Sequence, residues 1–151
     1  MSITLRPIGE VRSPITEAVD EGWGDVVAEV VVEPALAGGL RGLEQFSHAV
    51  VVFYMHQAAF RPETDLLRRP RGREDLPLTG SFAQRAKHRP NPIGITAVEI
   101  VSVADNALRV KGLDAVDGTP VLDVKPYFPH FDHVDNALLP RWVEEIMAGY
   151  F

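Results

Sequence analysis

The chain has 151 residues, no cysteine and a formal net charge of −6. That length supports one domain with a core large enough to fold unaided, and the missing thiols exclude a disulfide framework, a zinc–thiolate centre and a cysteine nucleophile. No apolar run approaches the ~20 residues of a membrane span, and Met1-Ser2-Ile3-Thr4-Leu5-Arg6-Pro7 lacks a signal-peptide layout; a soluble cytoplasmic protein with no membrane partner is expected.

In chain order, Ile8–Arg12 alternates and stops at Ser13-Pro14, which predicts a short strand. Val26–Glu33 is β-branched and ends at Pro34, a second strand. Ala35–Gly42 is too glycine-rich for a stable helix, and Leu43–Phe46 suits a single helical turn. His48–His56 has the length and β-branched content of a buried strand. Residues 58–79 hold three prolines and five of the twelve arginines and read as a long functional or mobile loop. Ile93–Val103 and Ala107–Gly112 form two strands joined at Asp105-Asn106, a pair that tolerates positive φ. Val121–Lys125 is another strand. Pro140 then opens a C-terminal helix, within about 138–149, with Trp142, Val143, Ile146 and Met147 on one face. The expected fold is all-β with a few short helices: one curled sheet forming a barrel or sandwich, in a single domain over 1–151 (core about 3–135).

Charge is unevenly distributed. Arg61–Arg89 holds eight bases against four acids, a surplus of four cations, so the remainder carries −10. Glu17 to Glu33 holds six acids and no base. Such polarity presents a cationic face to an anion, or it is an ordinary solvated surface.

The stretch Gly80–Gly94 concentrates the chemistry. Arg85, Lys87, His88 and Arg89 precede Pro90-Asn91-Pro92, whose prolines exclude helix and central strand and stiffen an exposed connection. Asp117-Gly118-Thr119-Pro120 is either a plain tight turn or a wall facing a polar ligand, since a carboxylate suits a ribose hydroxyl or an ammonium group. Asp123 and Lys125 share a strand face and suit a mutual pair. His56-Gln57, at a strand end, is either a satisfied terminus or a ligand-facing pair. Trp23, between Gly22 and Gly24, either stacks on a planar ligand or plugs the barrel mouth. His130-Phe-Asp132-His133 follows Pro129, which disfavours the helix its spacing would need, so no metal site is expected. No Gly-x-Gly-x-x-Gly, phosphate loop or Gly-x-Ser-x-Gly is present.

Four segments in order, Ile8–Pro14, Gly42–His48 running on to His56-Gln57, Gly80–Gly94 and Asp117–Tyr127, resemble the TsaA-like family of TrmO-type tRNA methyltransferases. The resemblance implies a β-barrel that binds S-adenosylmethionine outside the Rossmann class, forms a homodimer, and N-methylates threonylcarbamoyl-adenosine beside the tRNA anticodon. It puts His56, Gln57, Arg85, Ile95, Asp117, Gly118 and Thr119 at the cofactor, with Trp23 as a further candidate. Lys87, Arg89, Lys125 and Tyr127 become candidates for the substrate, and Asn91 and Asp117 for the chemistry. A small molecule or another RNA as methyl acceptor, or a cofactor-binding module without turnover, are the alternatives.

Overall fold

The computed structural model describes residues 1–151. Six antiparallel strands close a barrel: β1 Gly9–Arg12, β2 Val27–Val32, β3 His48–Tyr54, β6 Ile93–Ala104, β7 Ala107–Lys111 and β8 Pro120–Pro126, in the spatial order β1-β2-β7-β6-β3-β8. The short strands β4 Leu67–Arg68 and β5 Thr79–Gly80 form a separate ribbon. The sequence expectation of an all-β barrel therefore holds, and every barrel strand begins or ends within two residues of its predicted bounds.

Alternation fills the interior. Ala28, Val30 and Val32 of β2, Ala49, Val51 and Phe53 of β3, and Leu108 and Val110 of β7 point inward and are buried. Each such valine contributes about 1.5–3 kcal/mol by leaving water. The expectation of a fully buried β3 is corrected: its burial alternates, leaving Val50 and Val52 half-buried on the outer wall. Closure depends on Gly9, which pairs with Val32 on one side and Val121 on the other. A Cβ there would stand 2.1 Å from the Val31 carbonyl oxygen, so only glycine lets β1 bridge both neighbours.

Two irregularities reset the pleat. The β3–β8 register shifts between Val52 and Phe53, and the β6–β7 register between Ile100 and Ser102. An extra residue flips the alternation, which keeps both Val121 and Val124 on the core and turns Asp123 and Lys125 outward together. They pair at 2.8 Å, as their spacing predicts.

Residues 58–79, expected as a long functional or mobile loop, carry short elements of their own. They hold helix α1 (Pro62–Asp65), the β4–β5 ribbon and a 3-10 turn at Pro70–Gly72, with Pro70 and Leu76 buried. Polar side chains do the stitching: Arg69 donates to Leu76 O (2.6 Å), and Gln84 Nε2 donates to Arg68 O and Thr79 O (both 2.9 Å). The signal was hidden because prolines mark breaks without saying what lies between them. Toward the C-terminus come α2 (Pro129–Asp132) and α3 (Arg141–Met147), the latter shorter than the predicted 138–149 because Pro140 takes extended backbone and caps it. No helix is long and apolar enough to cross a membrane.

Candidate functional site

Register alone gathers one rim. Phe53 of β3 lies opposite Val121 of β8 and Gly94 of β6, and β1 pairs with the start of β8. The end of β3, the start of β6 and the start of β8 thus meet at the same mouth of the barrel. The turn His56-Gln57, the segment Arg85–Pro92 and the turn Asp117–Thr119 all leave from it.

The His56-Gln57 turn is fixed to the Pro-Asn-Pro bend by a hydrogen bond from Met55 N–H to Pro92 O (2.7 Å). Across Pro92, Ile93 N–H donates to Asn91 O at 2.7 Å, closing a three-residue turn that leaves the Asn91 side chain exposed. Arg85 donates from Nη2 to Ile95 O (2.8 Å), which clips the cationic segment to the outer wall of β6. The side chains of His56, Gln57, Asn91 and Lys87 make no hydrogen bond within the chain; His56, Gln57 and Asn91 are exposed on the two joined turns, and Ile93 and Ile95 at the start of β6 are exposed as well.

The Asp117 turn is laced to β1. Gly118 N–H donates to Val11 O (2.8 Å), and Asp117 Oδ1 accepts from Ser13 N–H (3.0 Å). Thr119 is buried and its hydroxyl donates to Val116 O at 2.6 Å, so it shapes the turn rather than facing a ligand. Asp117 and Gly118 remain exposed and border a cleft of about 470 Å3 with Arg12, Glu29 and Arg109.

Several sequence expectations are corrected. Trp23 is 2 % exposed and its indole N–H donates to Val19 O (2.8 Å), so its ring is buried and offers no open face to a ligand. Lys125 and Tyr127 lie at the opposite rim, beside the start of β3: Lys125 pairs across from Val50, and Tyr127 N–H donates to His48 O. The Asp123 carboxylate beside Lys125 raises the ammonium pKa, so that cation is already partnered. Arg89 donates to Gln84 O (2.8 Å) and braces its own loop instead of projecting from it. No group of three or more histidine, aspartate or glutamate side chains stands close enough to hold a metal.

One feature of the mouth had no sequence signal. Tyr150, carried back to the barrel by α3, donates its hydroxyl to Asp114, whose other oxygen accepts from Thr96 Oγ1 (2.5 Å). Thr96 follows Ile95 directly, so this chain of bonds supports the β6 edge of the rim from inside. Burial, and then the neighbouring Asp114 charge, push the Tyr150 phenol above its ordinary pKa.

A closed antiparallel barrel with no glycine-rich phosphate turn defines a small β-barrel domain outside the doubly wound nucleotide-binding class. The chain belongs to the tRNA-methyltransferase O N-terminal domain family, whose profile matches residues 16–133. It is 39% identical over 150 residues to a probable S-adenosyl-L-methionine-binding protein of Pyrococcus abyssi, covering 96% of this chain and 78% of that one. It is 36% identical to the tRNA (adenine(37)-N6)-methyltransferase of Escherichia coli, covering 90% of this chain and 62% of the relative. The crystal structure of TrmO from P. aeruginosa superposes with a TM-score of 0.76 at 32% identity, over 94% of this chain and 62% of that one.

Proposed function

We propose that the rim binds S-adenosylmethionine and that the protein is a tRNA methyltransferase, methylating the exocyclic nitrogen of threonylcarbamoyl-adenosine beside the anticodon. The observation that carries this reading is the unpartnered, exposed set His56, Gln57 and Asn91 on two turns joined by the Met55–Pro92 bond, next to the exposed Ile93 and Ile95 at the start of β6. A sulfonium nucleoside needs an apolar surface for its base and a few fixed polar groups for its ribose and amino-acid ends, and this mouth offers both. Similarity to S-adenosyl-L-methionine-binding and tRNA-methylating relatives supports the same assignment.

When bound, the cofactor supplies an electrophilic methyl group. The chain's own residues hold and orient: Arg85 fixes the Ile95 wall, Asp117 would present a carboxylate to the cationic ligand, and the exposed Asn91 Oδ1 would accept the N–H of the target nitrogen, orienting it while the proton displaced by methylation passes to solvent water. Orientation of this kind supplies up to about 7–11 kcal/mol of a transfer barrier.

Charge supports the RNA. Among the eight cations of Arg61–Arg89, only Arg68, Arg71 and Arg73 have an acid within 4 Å. Arg61, Arg69, Arg85, Lys87 and Arg89 are uncompensated, so the surplus read from sequence survives folding and lies beside the rim. Release of tritium-labelled methyl into tRNA that carries threonylcarbamoyl-adenosine, and none into tRNA lacking it, is the expected result; transfer only into small metabolites overturns the substrate.

The reading includes a single-domain chain acting as a homodimer in the cytoplasm. Its support is apolar surface: Phe131 is 82% exposed, Leu138 99%, and Phe82 77%. Light scattering at micromolar concentration is expected to give twice the chain mass.

A further inference from the structure

A second concavity of about 450 Å3 opens beside the rim, lined by Ala59, Arg61, Thr64, Asp65, Arg68 and His88. Its place in the chain ties it to the site: Ala59 follows the His56-Gln57 turn by two residues, and His88 precedes Asn91 by three.

The acid in this cleft is already engaged. Asp65, 8 % exposed, accepts from Arg61 N–H on Oδ2 (2.7 Å), and on Oδ1 from Arg68 Nη1 (3.2 Å) and Thr64 Oγ1 (3.3 Å). The Arg61 N–H above all, with Arg68 and Thr64 adding, holds its carboxyl below the usual aspartate range. Asp65 therefore remains ionised and serves to set the Arg68 guanidinium, whose side chain keeps 38% of its surface open. The Arg61 side chain is exposed and has no acid within 4 Å. His88 Nδ1 lies 2.8 Å from Ala59 O and 3.2 Å from Ala59 N, contacts that hold the ring against the Ala59 backbone, and Nε2 has no partner in the chain. Two guanidinium groups thus line one cleft against a single engaged carboxylate, which also takes up the Thr64 hydroxyl.

We propose that this cleft is a phosphate site, taking a backbone phosphate of the RNA close to the nucleotide whose base enters the rim. Arginine matches phosphate geometry with paired N–H donors, and a volume in the ordinary range of small-ligand sites admits the phosphate with its sugar. The positive balance also repels a sulfonium, so rim and cleft divide the two substrates by charge. The assignment to RNA rests on the reading given under Proposed function; the anion site itself does not.

The test has two arms. Inorganic phosphate is titrated into the wild-type chain and followed by amide shifts in 1H–15N NMR, with sodium chloride at matched ionic strength as control. Saturating shifts at Ala59, Thr64 and His88, weakened about fivefold or more in Arg61→Gln, are expected. Shifts that fail to saturate, that chloride reproduces, or that Arg61→Gln leaves unaltered overturn the site. In the second arm, Arg61→Gln raises KM for tRNA about five- to tenfold while kcat and the S-adenosylmethionine Kd stay unchanged, and Arg41→Gln, an equal charge loss on the exposed segment before β3 at the far end of the barrel, does not. Saturation without that KM change overturns the RNA assignment. If the wild type methylates no tRNA, the functional reading fails, and the phosphate titration still decides the cleft.

Discussion

Phe53 lays its ring over Gly94, its direct neighbour across β3 and β6: a methyl added to Gly94 would stand 2.5 Å from two ring carbons. The contact lies one residue from Ile93 and Ile95, at the strand ends from which both the His56-Gln57 turn and the Asn91 bend leave. Packing and site geometry therefore share one interface.

Gly94→Ala is expected to destabilise the fold by about 1–3 kcal/mol, the ordinary cost of overpacking a filled interior. Urea unfolding should show the midpoint falling with the slope unchanged. Because the displaced groups are the Phe53 ring and the edge of β6, cofactor affinity should fall with it. A Gly94→Ala protein as stable as wild type would mean that Phe53 has room to turn aside.

The Tyr150–Asp114–Thr96 chain makes a prediction about base. Burial and the Asp114 charge both favour the neutral phenol, so the folded-state pKa lies above the unfolded value of about 10. A raised pKa of this kind stabilises fully below the unfolded value and is lost as pH climbs past it. Stability should therefore be flat up to about pH 10 and decline beyond, and Tyr150→Phe should flatten that alkaline limb. At neutral pH the same substitution removes one donor from a carboxylate, costing about 1–3 kcal/mol. Thermal unfolding of both proteins between pH 7 and 11 measures the two effects together.

The barrel was legible in the sequence because its signals are local and repeated. The β-branched run Val26–Glu33 marks a strand and the Asp105-Asn106 turn a hairpin without outside help, and Asp105 does take positive φ, at 54°. Of the candidate site, Arg85 and Asn91 fall in one stretch, Ile95 came from the resemblance, and the fold ties Arg85 to Ile95 O at 2.8 Å. What was hidden depends on long-range contact. Nothing in Trp23 alone distinguishes a buried ring from a stacking platform; the outcome was decided by Tyr150, whose backbone carbonyl accepts from Trp23 N–H at 2.8 Å. Lys125 and Tyr127 looked like a continuation of the Asp117 turn, but a strand of seven residues carries them to the other end of the barrel. His88 was read only as one of a run of cations, since its partner Ala59 lies 29 residues away.

Asn91 and Gln57 should separate by kinetic signature. Asn91 is assigned to the target nitrogen and Gln57 to the cofactor, although they stand on adjoining turns. Asn91→Ala is expected to lower the single-turnover rate by about ten- to a hundredfold with the S-adenosylmethionine Kd unchanged, the mark of an interaction used in the transition state. Gln57→Ala should instead weaken cofactor binding in calorimetry by about three- to tenfold. An Asn91→Ala enzyme with wild-type single-turnover rates removes the orienting role.

Salt should report which cations meet RNA. A phosphate contact contributes about 0.7–0.9 to the slope of log affinity against log salt, because one condensed counterion is released for each phosphate neutralised. Arg73 is held by Asp75 at 2.5 Å and by Glu145 at 3.7 Å, and its guanidinium is correspondingly harder to deprotonate. It is already neutralised within the chain, so Arg73→Gln should leave the slope for tRNA unaltered. Lys87 has no such partner. Lys87→Gln should reduce the slope by about one and weaken binding to the same degree whatever the RNA sequence. Fluorescence anisotropy of labelled anticodon stem-loop RNA between 50 and 300 mM salt distinguishes the two variants. Equal slopes for Lys87→Gln and Arg73→Gln would mean that ion pairing inside the chain does not decide which cations the RNA finds, and the charge surplus beside the rim would lose its meaning as a docking face.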